Sequence, residues 1–254
     1  MSVLVTGGAG YIGSHMVLAL ADAGEAVTVL DNLSTGLRTA VDSRAELVEG
    51  DIGDAELVRG IFQRKNITDV VHFAGSIVVP ESVTDPLKYY SNNTAKTRNL
   101  IECCVKEAVP RFVFSSTAAV YGSPEQVPVT EDVQLAPMSP YGRSKLMSEW
   151  MLQDVAAAPE LTYVVLRYFN VAGADPAGRS GQSTKDATHL IKVAVQTALG
   201  TRDHMKIFGD DYATPDGTGV RDYIHVSDLI SAHEAAVTYL RSGGESLIAN
   251  CGYG

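Results

Sequence analysis

A short β-branched run, Ser2-Val3-Leu4-Val5, leads directly into Thr6-Gly7-Gly8-Ala9-Gly10-Tyr11-Ile12-Gly13 and then into an amphipathic stretch from about Ile12 to Asp22. No other feature restricts the fold as much. Strand, glycine turn and helix in this order open a βαβ unit, with the glycines in the strand-to-helix turn. With hydrogen as the side chain, the backbone there can come close to a pyrophosphate. The helix N-terminus adds free N–H donors and a favourable dipole. A glycine-rich turn on its own is a weak signal, since any tight turn can carry one; the strand before it and the helix after it give it weight.

The rest of the chain repeats the alternation. Further strands are expected at Val27-Thr28-Val29-Leu30, Glu46-Leu47-Val48, Val70-Val71-His72-Phe73, Phe112-Val113-Phe114 and Val164-Val165-Leu166, each about one crossover helix from the next. Right-handed crossovers put helices on both faces, which predicts an α/β, doubly wound parallel sheet with ligands beyond the carboxyl ends of the strands. After Asn170 the alternation weakens. A loop rich in Gly, Asp, Ser and Thr (173–184) leads to a helical stretch near Leu190 to Leu199, and a second, Ser227 to Leu240, opens with Ser227 as its expected cap. Residues 1–170 are therefore expected to form the cofactor-binding domain. Residues 171–254 are expected to form a smaller, partial substrate lobe interleaved with returning core elements.

At 254 residues the chain can bury one large α/β core, and 45% hydrophobic with 20% charged residues excludes a disordered or collagen-like chain. The net charge of -10 argues against nucleic acid as the main partner, because phosphate binding draws on clustered Lys and Arg. Cys103, Cys104 and Cys251 give neither a disulfide framework nor zinc spacing and read as reduced fillers. Residues 1–5 run straight into glycines and no stretch approaches the ~20 apolar residues of a membrane span, so no membrane association and a cytoplasmic location are expected.

Asp31 ends the second expected strand, 18 residues after Gly13, where a carboxylate accepts from the adenosine ribose hydroxyls. It favours NAD over NADP, since a 2′-phosphate would meet a like charge; the bland alternative is a turn-forming Asp-Asn pair. Asp51-Ile52 can flank the adenine, though an Asx turn explains Asp51 nearly as well. Tyr141-Gly142-Arg143-Ser144-Lys145 puts a phenol and an ammonium four residues apart on one face of a helix entered through Pro140. A cation beside a phenol favours phenolate and lowers its pKa, which suits a general base. Thr117, just past a strand end, can hydrogen-bond a reacting hydroxyl or simply cap the next segment.

Together these residues resemble the extended short-chain dehydrogenases, and among them the UDP-glucose/UDP-galactose 4-epimerases. The landmarks run from Gly7 to His15 through Asp31-Asn32, Gly50-Asp51-Ile52, His72-Phe73-Ala74-Gly75, Tyr89 to Asn93, Phe114 to Gly122, Ser139 to Lys145 and Arg167-Tyr168-Phe169-Asn170. The most distinctive is the last, Asp216-Gly217-Thr218-Gly219-Val220-Arg221-Asp222-Tyr223-Ile224-His225-Val226. The resemblance implies a Rossmann fold, bound NAD, a UDP-hexose substrate inverted at C4 through a 4-keto sugar, and a homodimer through helices near Asn93 to Lys106 and Ser144 to Val155. It makes Tyr141 the base, Lys145 its electrostatic and ribose-binding partner, and Thr117 the hydroxyl that relatives supply as Ser or Thr. Gly7, Gly10, Tyr11, Ile12, Gly13, Asp31, Asn32, Asp51, Ile52, Phe73, Ala74, Gly75, Asn92 and Phe169 would hold the cofactor. Asn170, His189, Leu190, Phe208, Arg221 and Tyr223 would meet the substrate, with Phe208 near the uracil and Arg221 on phosphate.

Three departures stand against the pattern. Ile77 replaces a frequent lysine, His189 replaces a frequent asparagine, and relatives continue past the stretch Asn250-Cys251-Gly252-Tyr253-Gly254 with a second phosphate-binding arginine. The enzymatic rival is a nucleotide-sugar 4,6-dehydratase, which adds an acid–base pair where this chain has Ala118-Ala119. The non-enzymatic rival is an NAD-binding regulatory scaffold, which would keep the glycines and lose the Tyr/Lys pair.

Overall fold

The computed structural model describes residues 1–158, 161–184 and 188–253; Gly254, the end of the expected second lobe, lies outside them. The amino-terminal half runs β1 (Ser2–Thr6), α1 (Tyr11–Asp22), β2 (Ala26–Asp31), β3 (Glu46–Glu49), α2 (Ala55–Lys65), β4 (Asp69–His72), α3 (Val79–Thr84), α4 (Pro86–Tyr89), α5 (Lys96–Lys106) and β5 (Arg111–Ser115). It continues with α6 (Pro140–Ala157), β6 (Thr162–Tyr168), β7 (Asn170–Ala172), α7 (Leu190–Ala198), β8 (Tyr223–His225), α8 (Val226–Arg241) and β9 (Leu247–Cys251). All six expected strands form within one or two residues of their expected limits.

The main sheet is parallel in the order β3-β2-β1-β4-β5-β6-β9. The order reverses between β1 and β4, which opens a crevice at the carboxyl ends of those strands. Period-two alternation sorts the strand residues between two cores. Val3, Val5, Val71, Val113 and Val164 face α1 and α8, meeting Met16, Val17, Leu229, Ile230 and Leu240. Leu4, Val70, Phe112, Phe114 and Val165 face the opposite layer and meet Val58 and Phe62 of α2, Leu100 of α5 and Leu152 of α6. Burial on both faces explains why the strands read as continuous apolar runs. Each such side chain removed from water stabilises the fold by roughly 1.5–3 kcal/mol before chain entropy is counted.

Local chemistry sets the helix limits. Asp54 caps α2 by accepting from Leu57 N–H at 3.0 Å, and Asn66 ends it in the left-handed region at φ 49. Ser139 caps α6 by accepting from Gly142 N–H at 3.1 Å, with Pro140 in the first turn. The expected Ser227 cap of α8 is corrected: the helix starts one residue earlier, and the His225 imidazole accepts from Ser227 N–H at 3.2 Å, so Ser227 is the capped residue.

Strand β9 was not anticipated. It pairs in parallel with β6, from Val164↔Leu247 to Tyr168↔Cys251. At the amino end of the sheet, Arg241 at the end of α8 binds Glu25 and Asp69, and Arg111 also binds Asp69 at 2.6 Å, so the last long helix is tied back to the first strands. No described helix is long and apolar enough to cross a membrane.

Candidate active site

The turn between β1 and α1 works only with glycine at its two ends. Gly7 has φ +71, and a Cβ there would lie 2.6 Å from Ala74 N; a Cβ on Gly13 would lie 2.2 Å from Gly7 O. Gly10 precedes α1 and offers no side chain to its first N–H groups, which leaves a narrow backbone cradle suited to an anion. Asp31 braces the cradle from β2, its carboxylate accepting from Ala9 N–H at 3.0 Å and Leu33 N–H at 2.8 Å. These two contacts leave lone pairs for further donors.

Asp51 is anchored more elaborately than its expected Asx turn. It accepts from Gly53 N–H at 2.8 Å, from the Asn32 amide at 3.1 Å and from Lys96 Nζ at 2.7 Å. Partial burial works against its charge, and Lys96, Gly53 and Asn32 together still hold its carboxyl below the usual range. Ile52 beside it is buried, and its carbonyl accepts from the Asn99 amide at 2.6 Å. Nothing in the sequence around Lys96 marks it for this contact, because its partner lies 45 residues away.

Phe73, Ala74 and Gly75 leave β4 on the far side of the crevice. Phe73 lies against the His233 ring, with centroids 4.9 Å apart. A π-helical turn, Tyr90–Ala95, joins α4 to α5 and carries Asn92 and Asn93; such turns concentrate at functional sites. Asn92 donates to Ser76 Oγ at 3.0 Å. Asn93, absent from the expected set, is 1% exposed; it accepts from Ser76 N–H at 2.7 Å and donates to Ser144 Oγ at 3.1 Å, fastening the loop after Gly75 to α6. Tyr11 turns its phenol away from the turn, donating to Gly173 O at 2.7 Å, and burial raises its pKa to about 12. Ser14 meets Ser180 at 2.7 Å and Arg179 pairs with Asp22 at 2.8 Å, so residues 173–180 lie along α1.

The expected Tyr/Lys pair and Thr117 gather where β5 ends. Tyr141 packs edge-on against Tyr89, centroids 6.3 Å apart, with the Thr117 hydroxyl near enough to its phenol to favour the ionised form. Thr117 also fills its capping alternative, accepting from Ala119 N–H at 3.1 Å. Lys145, one turn below, is 6% exposed with Nζ 4.3 Å from the centre of the Phe114 ring. The expected lowering of the phenol pKa by Lys145 is corrected. Although Tyr141 keeps some surface exposure, its dense surroundings raise the phenol pKa, and only the Thr117 hydroxyl pulls it down. Burial likewise lowers the Lys145 amine to about 7, partly offset by Glu149. His72 lies behind the amine, bonded to Thr6 Oγ1 at 2.6 Å and Thr97 Oγ1 at 2.9 Å, and burial holds it well below its usual pKa, so it is neutral.

Beyond β6 a two-stranded parallel sheet sets Asn170 directly opposite Tyr223. The Asn170 amide donates to Asp222 O at 2.9 Å. Phe169 lies beside Gly252, within 3.1 Å of where a Cβ there would stand. Arg221, next to this pair, is exposed and donates to Val220 O at 2.8 Å. His189 precedes α7 with Nδ1 3.4 Å from the Gln182 amide, while Leu190 and Phe208 remain 51% and 89% exposed, not packed into the site.

A doubly wound sheet with a glycine cradle, a carboxylate at the end of its second strand and a Tyr/Lys pair at its carboxyl edge defines a dinucleotide-dependent enzyme that oxidises or reduces a hydroxyl-bearing substrate. The chain belongs to the NAD dependent epimerase/dehydratase family, which it matches over residues 3–252. It is 60% identical over 252 residues to the UDP-glucose 4-epimerase of Azospirillum brasilense, covering 99% of this chain and 72% of that one. It is 49% identical to the UDP-glucose 4-epimerase of Lacticaseibacillus casei, covering 99% and 76%. The crystal structure of UDP-glucose 4-epimerase from Brucella ovis in complex with NAD superposes with a TM-score of 0.96 at 47% identity, covering 99% of this chain and 77% of that one.

Proposed function

We propose that this chain is an NAD-dependent 4-epimerase of UDP-hexoses, interconverting UDP-galactose and UDP-glucose through a 4-keto sugar. The observation that carries the reading is the grouping of the Tyr141 phenol, the neighbouring Thr117 hydroxyl and Lys145, one helical turn from Tyr141, at the carboxyl edge of the sheet. The protein fits the cofactor: the cradle that a Cβ on Gly7 or Gly13 would fill suits a pyrophosphate, and Asp31 keeps lone pairs for ribose hydroxyls. Held by the Gly7–Gly13 cradle and Asp31, NAD would supply reversible hydride chemistry at C4 and the positive charge of its oxidised ring.

Every other step falls to the chain's own groups. Tyr141 takes the C4 hydroxyl proton and later returns it, with Thr117 orienting that hydroxyl. Lys145 favours the phenolate while it is protonated and, beside Tyr141, holds the nicotinamide ribose. Arg221, with Asn170 and Tyr223, holds the diphosphate, so the 4-keto sugar can turn over while its nucleotide stays anchored. His189, Leu190 and Phe208 belong to the nucleotide end in this reading, where Leu190 and Phe208 stand open to solvent and would pack only against bound nucleotide. A homodimer through the outer faces of α5 and α6 accords with this reading, since Met147 and Trp150 on α6 are 36% and 50% exposed. Three buried cysteines without disulfides suit the cytoplasm.

Eliminating water across C5 and C6 would require a base and an acid after Thr117, where Ala118 and Ala119 supply neither. UDP-galactose should therefore give UDP-glucose of unchanged mass with no net consumption of NAD. A product lighter by one water, ~18 Da by mass spectrometry, would replace the epimerase by a dehydratase.

Cofactor choice rests on Asp31. Its carboxylate accepts from ribose hydroxyls and repels a 2′-phosphate, so the protein should bind NAD well over tenfold more tightly than NADP. In Asp31→Ser that ratio should shrink even as overall binding weakens. Calorimetry showing equal affinities in the unaltered protein would remove Asp31 from this role.

A further inference from the structure

One pair of fully buried charges stands directly below the reacting groups. Helix α6 carries Tyr141, Lys145 and Glu149 at successive i,i+4 positions, a single stripe facing β5 and β6. Glu149 is 0% exposed and Arg167 of β6 is 2% exposed; they meet at 2.6 Å, with Arg167 Nε at 3.2 Å from both carboxylate oxygens. The Ser116 hydroxyl also donates to Glu149. Ser116 immediately precedes Thr117, and its N–H binds Leu166 O at 2.8 Å. The carboxylate of Glu149 therefore grips the strand end that presents Thr117 to Tyr141.

Arg167 is engaged by a second partner besides Glu149. Its Nη1 donates to Tyr121 OH at 2.9 Å, Tyr121 OH donates to Asn250 Oδ1 at 2.7 Å, and the guanidinium lies 5.0 Å from the Tyr121 ring centre. The groups that face Lys145 from the other packed elements are the Phe114 ring on β5 and His72 on β4, held neutral by burial. Tyr168 on β6 and Tyr89 on α4 flank Tyr141, and burial raises both phenols, so they too are neutral. Among the described residues, Glu149 is the carboxylate whose charge acts on the Lys145 amine.

We propose that Glu149 is a positioning residue of this site: it fixes the strand end that carries Thr117 and keeps Lys145 an ammonium within apolar surroundings. The proposal rests on the reading of Tyr141 and Lys145 as the reacting pair. Burial alone pushes the amine downward, and Glu149 pulls it back up to about 7. Without that charge the amine titrates lower still, so at neutral pH Lys145 is mostly uncharged and the phenolate loses its partner.

The test follows the amine directly. In protein labelled with 13C-lysine, the Lys145 Cε resonance, assigned by its loss in Lys145→Arg, reports the titration without any turnover. Glu149→Gln should move its midpoint down by about one pH unit or more, whereas Glu149→Asp, which keeps the charge, should hold it near the original value. Turnover at pH 7 in Glu149→Gln should fall by about tenfold, with KM for the UDP-sugar changed less than about twofold. If Arg167, left without its partner, prevents that variant from folding, the double variant Glu149→Met, Arg167→Met replaces both charges with apolar side chains, an exchange buried ion pairs often tolerate. It should show the same fall. A folded variant of either kind whose Lys145 midpoint stays within about 0.3 pH unit of the original overturns the proposal. A protein inactive on UDP-sugars would defeat the epimerase reading alone, because the titration does not depend on activity.

Discussion

Tyr141→Phe should reduce turnover of UDP-galactose by about 10²–10⁴-fold while the protein still carries NAD. That range corresponds to about 3–5 kcal/mol of lost transition-state stabilisation, the scale of removing a positioned proton acceptor. The phenylalanine ring keeps the edge contact with Tyr89 at 6.3 Å, so the helix start and the cofactor pocket stay formed. What disappears is the oxygen beside Thr117 to which the proposed mechanism assigns the substrate proton. The fall should appear in kcat with KM little changed, since proton transfer belongs to the chemical step. Coupled assay of the product, together with NAD released on denaturation, measures both quantities. Turnover within about threefold of the unaltered protein would take Tyr141 out of the proton transfer.

How far such a site could be read in advance depends on where its information lies along the chain. The glycine turn was legible because strand, turn and helix are contiguous from Ser2 to Asp22, so local spacing carries the whole signal. The Tyr141/Lys145 pair was legible for the same reason, four residues apart behind a Ser-Pro cap. Strands β7 and β8 were not anticipated: each is three residues long and exists only through pairing across more than fifty residues, from Asn170↔Tyr223 to Ala172↔His225. β9 escaped notice for a related reason, as Leu247–Cys251 is partly exposed and its short apolar run, Leu247-Ile248-Ala249, gives way at once to Asn250 and Cys251. The charge balance of the Tyr141/Lys145 pair was not legible, because spacing places Lys145 near Tyr141 but says nothing of desolvation, which here moves both groups toward their neutral forms. Glu149 offered a usable sign that went unread: an acidic residue one turn beyond Lys145, on a stripe otherwise buried.

Gly13→Ala should abolish stable NAD binding while most of the fold survives. An added Cβ would stand 2.2 Å from Gly7 O and 2.9 Å from Gly8 Cα, and both neighbours are backbone, so no rotamer change can make room. Either α1 shifts away from the turn or the turn itself opens. In both cases the N–H groups at the head of α1 lose their aim on a pyrophosphate, and several charge-assisted hydrogen bonds weaken together. NAD affinity should fall by at least about 100-fold, or about 2.7 kcal/mol. The sheet should be much less affected, because Met16, Val17 and Leu20 anchor α1 in a core shared with α8, and overpacking of this kind costs about 1–3 kcal/mol. Thermal unfolding without added nucleotide should therefore drop by only several degrees, whereas the stabilisation that NAD confers on the unaltered protein should vanish, since a ligand raises stability only in proportion to its binding of the folded state. Calorimetric titration and unfolding curves with and without NAD separate the two effects. A Gly13→Ala protein that binds NAD with unchanged affinity would show that the cradle between Gly7 and Gly13 is not where the pyrophosphate sits.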